Sequence, residues 1–277
     1  WQVYSPRAAG VEVQPLKPVP IGQVRIDDAF WAPKLKVWRE VTLADAFDKF
    51  EKDGARENFD KIRAGKGGEH RGLPWFDGLV YEMIRAAADF LAACPDPNLE
   101  ARLDGYIERI AAAAATDPNG YLNTYTQMQE PDHRWGLNGG NDRWLHDLYN
   151  AGAMVEAGVH YYRATGKTRL LDVAAKFTNH MCDVMGPAPR KNIVPGHALG
   201  EEAVVKLYQL FREQPQLKAR LSVPVDERRY LDLARFWIDM RGHHEGRVNF
   251  GTYNQDATPR FRPPHHHTAL SAMTILR

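Results

Sequence analysis

Cysteine is nearly absent from the 277-residue chain, which has only Cys94 and Cys182. That excludes a disulfide framework and any four-cysteine zinc site. One disulfide between the two is allowed, but two unpaired core thiols are the expectation, because cysteine is often buried as a small hydrophobe. Charge of one sign is also missing: 36 Lys+Arg stand against 35 Asp+Glu, for a net charge of +1. Nucleic-acid binders carry a basic excess or stripe, so nucleic acid is not an expected partner. Nor is a membrane, since no apolar run reaches the roughly 18 residues a spanning helix needs. There is no GxGxxG, Walker loop or G-x-S-x-G, and Gly65-Lys66-Gly67-Gly68 lacks the Walker spacing. Nucleotide and serine-hydrolase readings therefore have no support. What is present, 44% apolar and 26% charged residues, suits a globular protein long enough to bury a sizeable core.

The chain opens at Trp1 rather than Met. As a processed N-terminus this implies a removed signal peptide and a secreted or periplasmic location. As a trimmed piece it leaves the cytoplasm open. Residues 273–277 stop inside an apolar pattern with no Gly or Pro, so the helical domain is expected to be incomplete there. Residues 1–33 are rich in Pro and β-branched residues, including Pro15, Pro18, Pro20, Val24, Ile26 and Pro33. They read as an extended arm with one short strand.

Residues 34–277 read as a helical domain. Leu79, Val80, Met83, Ile84, Ala87, Phe90 and Leu91 fall at helical spacing before Pro95, and Leu99, Leu103, Ile107, Ile110 and Ala111 form a second stripe. Further helices are expected near 144–165, 168–185, 198–213 and 227–241. Strand-like alternation is scarce, so the class is all-α. A weak repeat adds detail. Val159-His-Tyr-Tyr-Arg resembles Val205-Lys-Leu-Tyr-Gln, and Leu171-Asp-Val-Ala-Ala-Lys-Phe resembles Leu231-Asp-Leu-Ala-Arg-Phe-Trp. Repeated helix pairs of this size suggest stacked α-hairpins, closed either as a solenoid or as an (α/α) toroid. Long, chemically rich loops favour the toroid.

The densest such loop runs from 117 to 150, with Tyr121, Asn123, Tyr125, Gln127, His133, Trp135, Asn138, Asn141, Trp144, His146 and Asn150. Aromatic faces beside planar amides suit a polyhydroxylated ligand: rings cover the C–H face of a sugar while Asn, Gln and His bond its hydroxyls. Each residue alone is more readily structural, packing the loop down or capping a turn; the cluster as a whole points to a ligand. His146 and Asn150 are four apart and share a helix face, as do His197 and Glu201. His197 follows Pro195-Gly196, a turn that can fix an imidazole at a pocket rim. Carboxylates such as Glu201 and Glu202 also serve simply as helix starters. The run His265, His266 and His267, like His243 and His244, lacks chelating spacing, so no metal site is assigned within the chain.

Several stretches together resemble glycoside hydrolase family 127, the β-L-arabinofuranosidase family. They are Val24-Arg-Ile-Asp-Asp-Ala-Phe-Trp-Ala-Pro, Asp77-Gly-Leu-Val-Tyr, Asn119-Gly-Tyr-Leu-Asn-Thr-Tyr and His146-Asp-Leu-Tyr-Asn-Ala-Gly. Tyr162-Arg-Ala-Thr-Gly-Lys, Leu171-Asp-Val-Ala, Pro195-Gly-His, Val205-Lys-Leu-Tyr and Tyr253-Asn-Gln-Asp follow in the family's order. The resemblance implies an (α/α)6 toroid, or the first part of one, with its site at one mouth. It implies a retaining, exo-acting glycosidase that uses a zinc-bound cysteine as nucleophile and a glutamate as acid/base, where most retaining enzymes use two carboxylates. Those groups belong to the family's later segment, and neither Cys94 nor Cys182 matches them. Zinc is thus implied for the complete enzyme and not for this chain. His146 and His197 resemble family histidines that contact the sugar, and Trp75 and Asp77 occupy an aromatic-acidic loop near the site. The family's next histidine motif meets residues 265–269, where 260–264 depart from its pattern.

The resemblance thus implies a glycoside hydrolase with a carbohydrate substrate. Its expected substrate-side residues are His146, His197, Asp77, Trp75, Glu201, and Tyr125 and Trp135 as pocket walls. Two alternatives stay open: a carbohydrate-binding or scaffold protein without the chemistry, and a toroid isomerase or lyase using His and Glu for proton transfer. An open half-ring is expected to leave a large apolar inner face, and so to aggregate or need a partner such as a second copy in a homodimer.

Overall fold

The structure, a computed structural model, describes residues 19–65, 68–139 and 146–240, with side chains throughout except at 137–139. The readings placed on the side chain of Asn138 and on Asn141, Trp144, His243, His244, Tyr253, residues 260–264 and His265, His266 and His267 lie outside the described residues, as does most of the arm.

Among the described residues there are ten α-helices and no strand; one isolated bridge joins Met185 to Lys191. The arm's expected strand is replaced by a 3-10 turn at Ile21–Gln23, with Val24 and Ile26 exposed. Helix α1 (Trp31–Val37) starts inside the expected arm. The Asp28 carboxylate accepts from the N–H groups of Phe30 at 2.8 Å and Trp31 at 2.6 Å, which gives this start its side-chain acceptor. Pro33 lies in the first turn, where no helical donor is lost. A π turn at Trp38–Thr42 leads into α2 (Leu43–Lys52), followed by α3 (Ala55–Arg63).

The remaining helices are α4 (Phe76–Ala93), α5 (Pro97–Ala114), α6 (Thr124–Gln129), α7 (Asp147–Thr165), α8 (Arg169–Val184), α9 (Leu199–Glu213) and α10 (Glu227–Met240). Local chemistry sets their ends. Asp96 caps α5 by accepting from Asn98 and Leu99 N–H groups, with Pro97 in the first helical position. Gly166, at φ 74°, closes α7 in the left-handed conformation glycine tolerates.

The helices form two layers. In one, α7 packs between α4 and α9; in the other, α8 contacts α5 and α10, and α3 lies against α5. Hairpins α4–α5, α7–α8 and α9–α10 join the layers. The sequence repeat maps onto this plan: Val159 and Val205 lie on α7 and α9, Leu171 and Leu231 on α8 and α10. Helix α7 is the most enclosed, buried at nearly every position from Asp147 to Tyr162. The apolar sides of both layers meet in one core that includes Tyr81, Ile84, Ile107, Leu171, Phe211 and Trp237.

Two expectations are corrected. The face shared by α4, α7 and α9 is a polar stripe rather than an apolar one. Arg85 links Glu82 at 2.5 Å to Glu156 at 3.0 Å, and Lys206 links Glu156 to Glu202. The exposed large apolar side chains lie elsewhere, chiefly between Val19 and Val41, including Phe30, Trp31 and Trp38. The cysteines are both free, but only Cys182 is a core thiol; Cys94 is exposed at the end of α4.

Candidate functional site

The N-terminal ends of α4, α7 and α9 are pinched together at three glycines, Gly78, Gly152 and Gly200. A Cβ on Gly152 of α7 would stand 3.2 Å from the Cα of Gly200 in α9, so these backbones touch directly. A Cβ on Gly78 of α4 would stand 2.4 Å from the Tyr149 ring and 2.7 Å from Asn150 Oδ1, so side chains of α7 occupy the room a larger residue would need. Close approach of this kind is what the missing side chain allows.

The pinched end carries four rings. Trp75, just before α4, lies 4.7 Å from His146, and His146 lies 5.5 Å from His197 with their planes inclined by 34°. Tyr149 stands 5.9 Å from His146 and 5.1 Å from His197. The structure thus brings together three residues singled out from the sequence, Trp75, His146 and His197. It adds Tyr149, whose signal was its place three residues after His146 in the His146-Asp-Leu-Tyr-Asn motif.

His146 caps α7 with φ 58° and ψ 29°, a left-handed conformation that is costly for a residue with a Cβ. The next residue explains how it is held. Asp147 is fully buried, and its carboxylate accepts from Tyr121 OH at 2.5 Å, Asn123 Nδ2 at 2.6 Å, Thr126 Oγ1 at 3.1 Å and Trp135 N at 2.9 Å. Burial pushes this carboxyl up, while the four donors pull the other way. Asn150 does the same for the other side: its Nδ2 donates to Pro74 O and its Oδ1 accepts from Gly78 N, each at 2.9 Å. Asp147 ties the 121–135 loop to α7, and Asn150 ties the Trp75 turn to it.

Each of the three helices carries a buried carboxylate in its first turn: Asp77, Asp147 and Glu201. Backbone N–H groups left unpaired there favour negative charge. Asp77 is not open to a ligand; it accepts from Thr124 N and Oγ1, each at 2.7 Å, and burial pushes it up to about 6. Glu201 is 1% exposed, beneath the first turn of α9. The expectation that Trp135 walls an open pocket is corrected: it is 2% exposed, packed against Tyr121, Phe177 and His180. Tyr125 is half-buried, edge-on to His70 at 5.2 Å. Tyr149 is pushed up to about 12 by burial and the charge of Glu82.

The zinc implied by the resemblance finds no fitting residues here. Among the described residues no three His, Cys, Asp or Glu side chains are grouped to hold a metal ion. Burial pushes the Cys182 thiol up to about 12, the opposite of what a metal-bound thiolate requires.

Stacked helical hairpins, with rings and imidazoles gathered at one end of one layer, define a protein of the (α/α)-toroid class. The profile of the "Beta-L-arabinofuranosidase, GH127 catalytic domain" matches residues 23–270. The chain belongs to glycoside hydrolase family 127. It is 32% identical over 189 residues to a "Non-reducing end beta-L-arabinofuranosidase" of Bifidobacterium longum subsp. longum, a match covering 66% of this chain and 26% of that protein. A solved GH127 β-arabinofuranosidase aligns with a TM-score of 0.72 at 33% identity, over 86% of this chain and 36% of its own. A GH127 β-L-arabinofuranosidase from Geobacillus stearothermophilus T6 aligns with a TM-score of 0.69 at 30% identity, over 81% and 33%. The chain therefore spans about a third or less of the length of these relatives.

Proposed function

We propose that the protein is an exo-acting glycosidase of terminal L-arabinofuranosyl residues, and that this chain supplies the part of the pocket that binds and orients the sugar. The observation that carries the reading is the gathering of Trp75, His146 and His197 at one end of the layer formed by α4, α7 and α9. In this reading the imidazoles bond furanose hydroxyls and Trp75 covers the C–H face. Asp77 and Glu201 act from beneath, as buried first-turn carboxylates, rather than by touching the sugar. The activities of the relatives support the substrate class. Holding the sugar with its anomeric carbon in place lowers the entropic part of the barrier. No step is assigned to zinc, because no described residues fit it.

The test is binding of methyl β-L-arabinofuranoside to the chain by calorimetry, with the recovered sugar checked for cleavage or epimerisation. His197→Ala is expected to weaken binding by about tenfold or more with helicity unchanged. Unaltered affinity overturns the assignment of His197. A product epimerised without cleavage of the glycosidic bond overturns the hydrolase reading in favour of an isomerase.

A further inference from the structure

We propose that Tyr149 is the positioning residue of the two-histidine site, and that Gly78 is its seat. This rests on the reading that His146 and His197 hold the sugar.

His146 and His197 come from different helices, and neither sits on a regular turn. His146 is the left-handed residue ahead of α7, and His197 lies in the bend between Pro195 and α9. The rings of His146, Tyr149 and His197 nevertheless form a closed triangle with sides of 5.5, 5.9 and 5.1 Å. Of the three, Tyr149 alone stands on helix proper. Its ring is backed by Gly78, where a single added methyl group would meet Cε1 at 2.4 Å and Cδ1 at 2.8 Å. The backing cannot withdraw, because the neighbouring Asn150 grips Gly78 N and Pro74 O. A half-buried ring fixed from behind and touching both imidazoles sets their separation and tilt. The hydroxyl, close enough to Glu82 to feel its charge, stays protonated through the neutral range. The contacts with both imidazoles are made by the ring, and the ring carries the role.

The experiment uses the full chain and four variants: Tyr149→Leu, Tyr149→Phe, Gly78→Ala and the double variant Gly78→Ala/Tyr149→Leu. Circular dichroism checks the fold of each. Methyl β-L-arabinofuranoside is the probe for affinity, and nuclear Overhauser contacts between the His146 and His197 rings are read without sugar. Tyr149→Leu is expected to weaken binding by about tenfold and to lose the ring–ring contacts; Tyr149→Phe recovers both, to within about threefold in affinity. Gly78→Ala removes no side chain of the site, and alanine is the better helix former. It is expected to weaken binding comparably, because its methyl group displaces the ring. In the double variant no ring remains to displace and only the contact with Asn150 Oδ1 at 2.7 Å is left, so Gly78→Ala should weaken binding less in the Tyr149→Leu background than it does alone.

Ring–ring contacts that persist in Tyr149→Leu overturn the proposal, as does a Tyr149→Phe variant as weak as the leucine one, which would mean that the hydroxyl binds sugar directly. If Tyr149→Leu loses its fold, Gly78→Ala decides: intact contacts there overturn the proposal. Should the wild-type chain bind no arabinofuranoside, the sugar reading fails, while the ring–ring contacts still decide the role of Tyr149.

Discussion

The backbone N–H of Trp135 donates to Asp147 Oδ2 at 2.9 Å, and this bond lies between two strained residues. Trp135 at φ 59° and His146 at φ 58° are the non-glycine residues with left-handed backbone among those described. Asp147 is bonded to one and follows the other. Strain of this kind persists only where surrounding contacts over-determine it. Four donors converging on one buried carboxylate supply that constraint.

Asp147→Ala should therefore be among the most damaging single changes in the chain. It strands four buried donors, and the loss is expected to exceed about 4 kcal/mol. Asp147→Asn keeps an oxygen for Tyr121, Asn123 and Thr126 but turns an amide toward Trp135 N–H, with a loss of about 2–3 kcal/mol. Urea denaturation measures both. Equal losses would mean that the Trp135 bond, not the three-donor oxygen, dominates.

Two glycines in helix interiors should respond in opposite directions. Gly105 sits exposed on α5 with nothing within 4 Å of an added Cβ. Gly105→Ala should stabilise by about 0.5–1 kcal/mol, by the gain in helix propensity. Gly152 abuts the Gly200 backbone at 3.2 Å, and backbone cannot rotate away as a side chain can. Overpacking there costs about 1–3 kcal/mol, which outweighs the propensity gain. Gly152→Ala should thus lower the melting temperature while Gly105→Ala raises it.

Helix periodicity was the most legible part of the sequence. The stripes at 79–91 and 99–111 lie within α4 and α5, and the repeat corresponds to a hairpin pair because the helices of each layer face recurring surroundings. The site was legible where chemistry was local. His146 and His197 each sit beside a helix start that the pattern marks. Trp135 was misread because an aromatic residue in a loop carries no sign of which way it faces. Its burial depends on Phe177, supplied by α8. Asp147 was overlooked because its donors Tyr121, Asn123 and Thr126 lie more than twenty positions upstream, in a loop without periodicity. Asn150 was expected to share a helix face with His146, but His146 is the left-handed residue ahead of α7, and the Asn150 amide is spent on Pro74 and Gly78.

A buried pair beside the site should show opposing pH responses. Thr124 Oγ1 stands 2.7 Å from Asp77 Oδ1 and 2.9 Å from His70 Nε2, so its one proton serves a single neighbour at a time. Burial raises Asp77 from 3.8 to about 6 and lowers His70 from 6.5 to about 4. The raised carboxyl contributes stability that is present below pH 3.8 and lost as pH rises through about 6. The lowered imidazole contributes stability that is present above pH 6.5 and lost as pH falls through about 4. Between about pH 4 and 6 the two slopes oppose and largely cancel. His70→Gln should expose the Asp77 slope, with stability falling by roughly 1.4 kcal/mol per pH unit as pH rises. Asp77→Asn should expose the reverse slope. Unfolding free energies at half-unit pH intervals test this, and parallel slopes in both variants would sink it.

The polar stripe below the rings offers a last contrast, between buried and exposed ion pairs. Glu156 is fully buried at the middle of α7, where Arg85 Nη1 reaches it from α4 at 3.0 Å and Lys206 reaches it from α9. Glu156→Ala leaves Arg85 and Lys206 with one carboxylate each and opens a void at a fully buried position, so it should cost about 2–3 kcal/mol. Glu156→Gln should cost less, because its amide oxygen still accepts from Arg85 or Lys206 and its side chain fills the same space. By contrast, Arg169 and Glu108 pair at 3.2 Å with both side chains more than half exposed. Solvent and salt screen such a pair, so Arg169→Ala should cost less than about 1 kcal/mol. Raising NaCl to about 1 M should erase most of the Arg169 effect and leave the Glu156 effect nearly intact, since buried charges are screened far less. If salt relieved both equally, the stripe would have to be open to solvent along its length, and Glu156 could not join α4, α7 and α9 beneath the site.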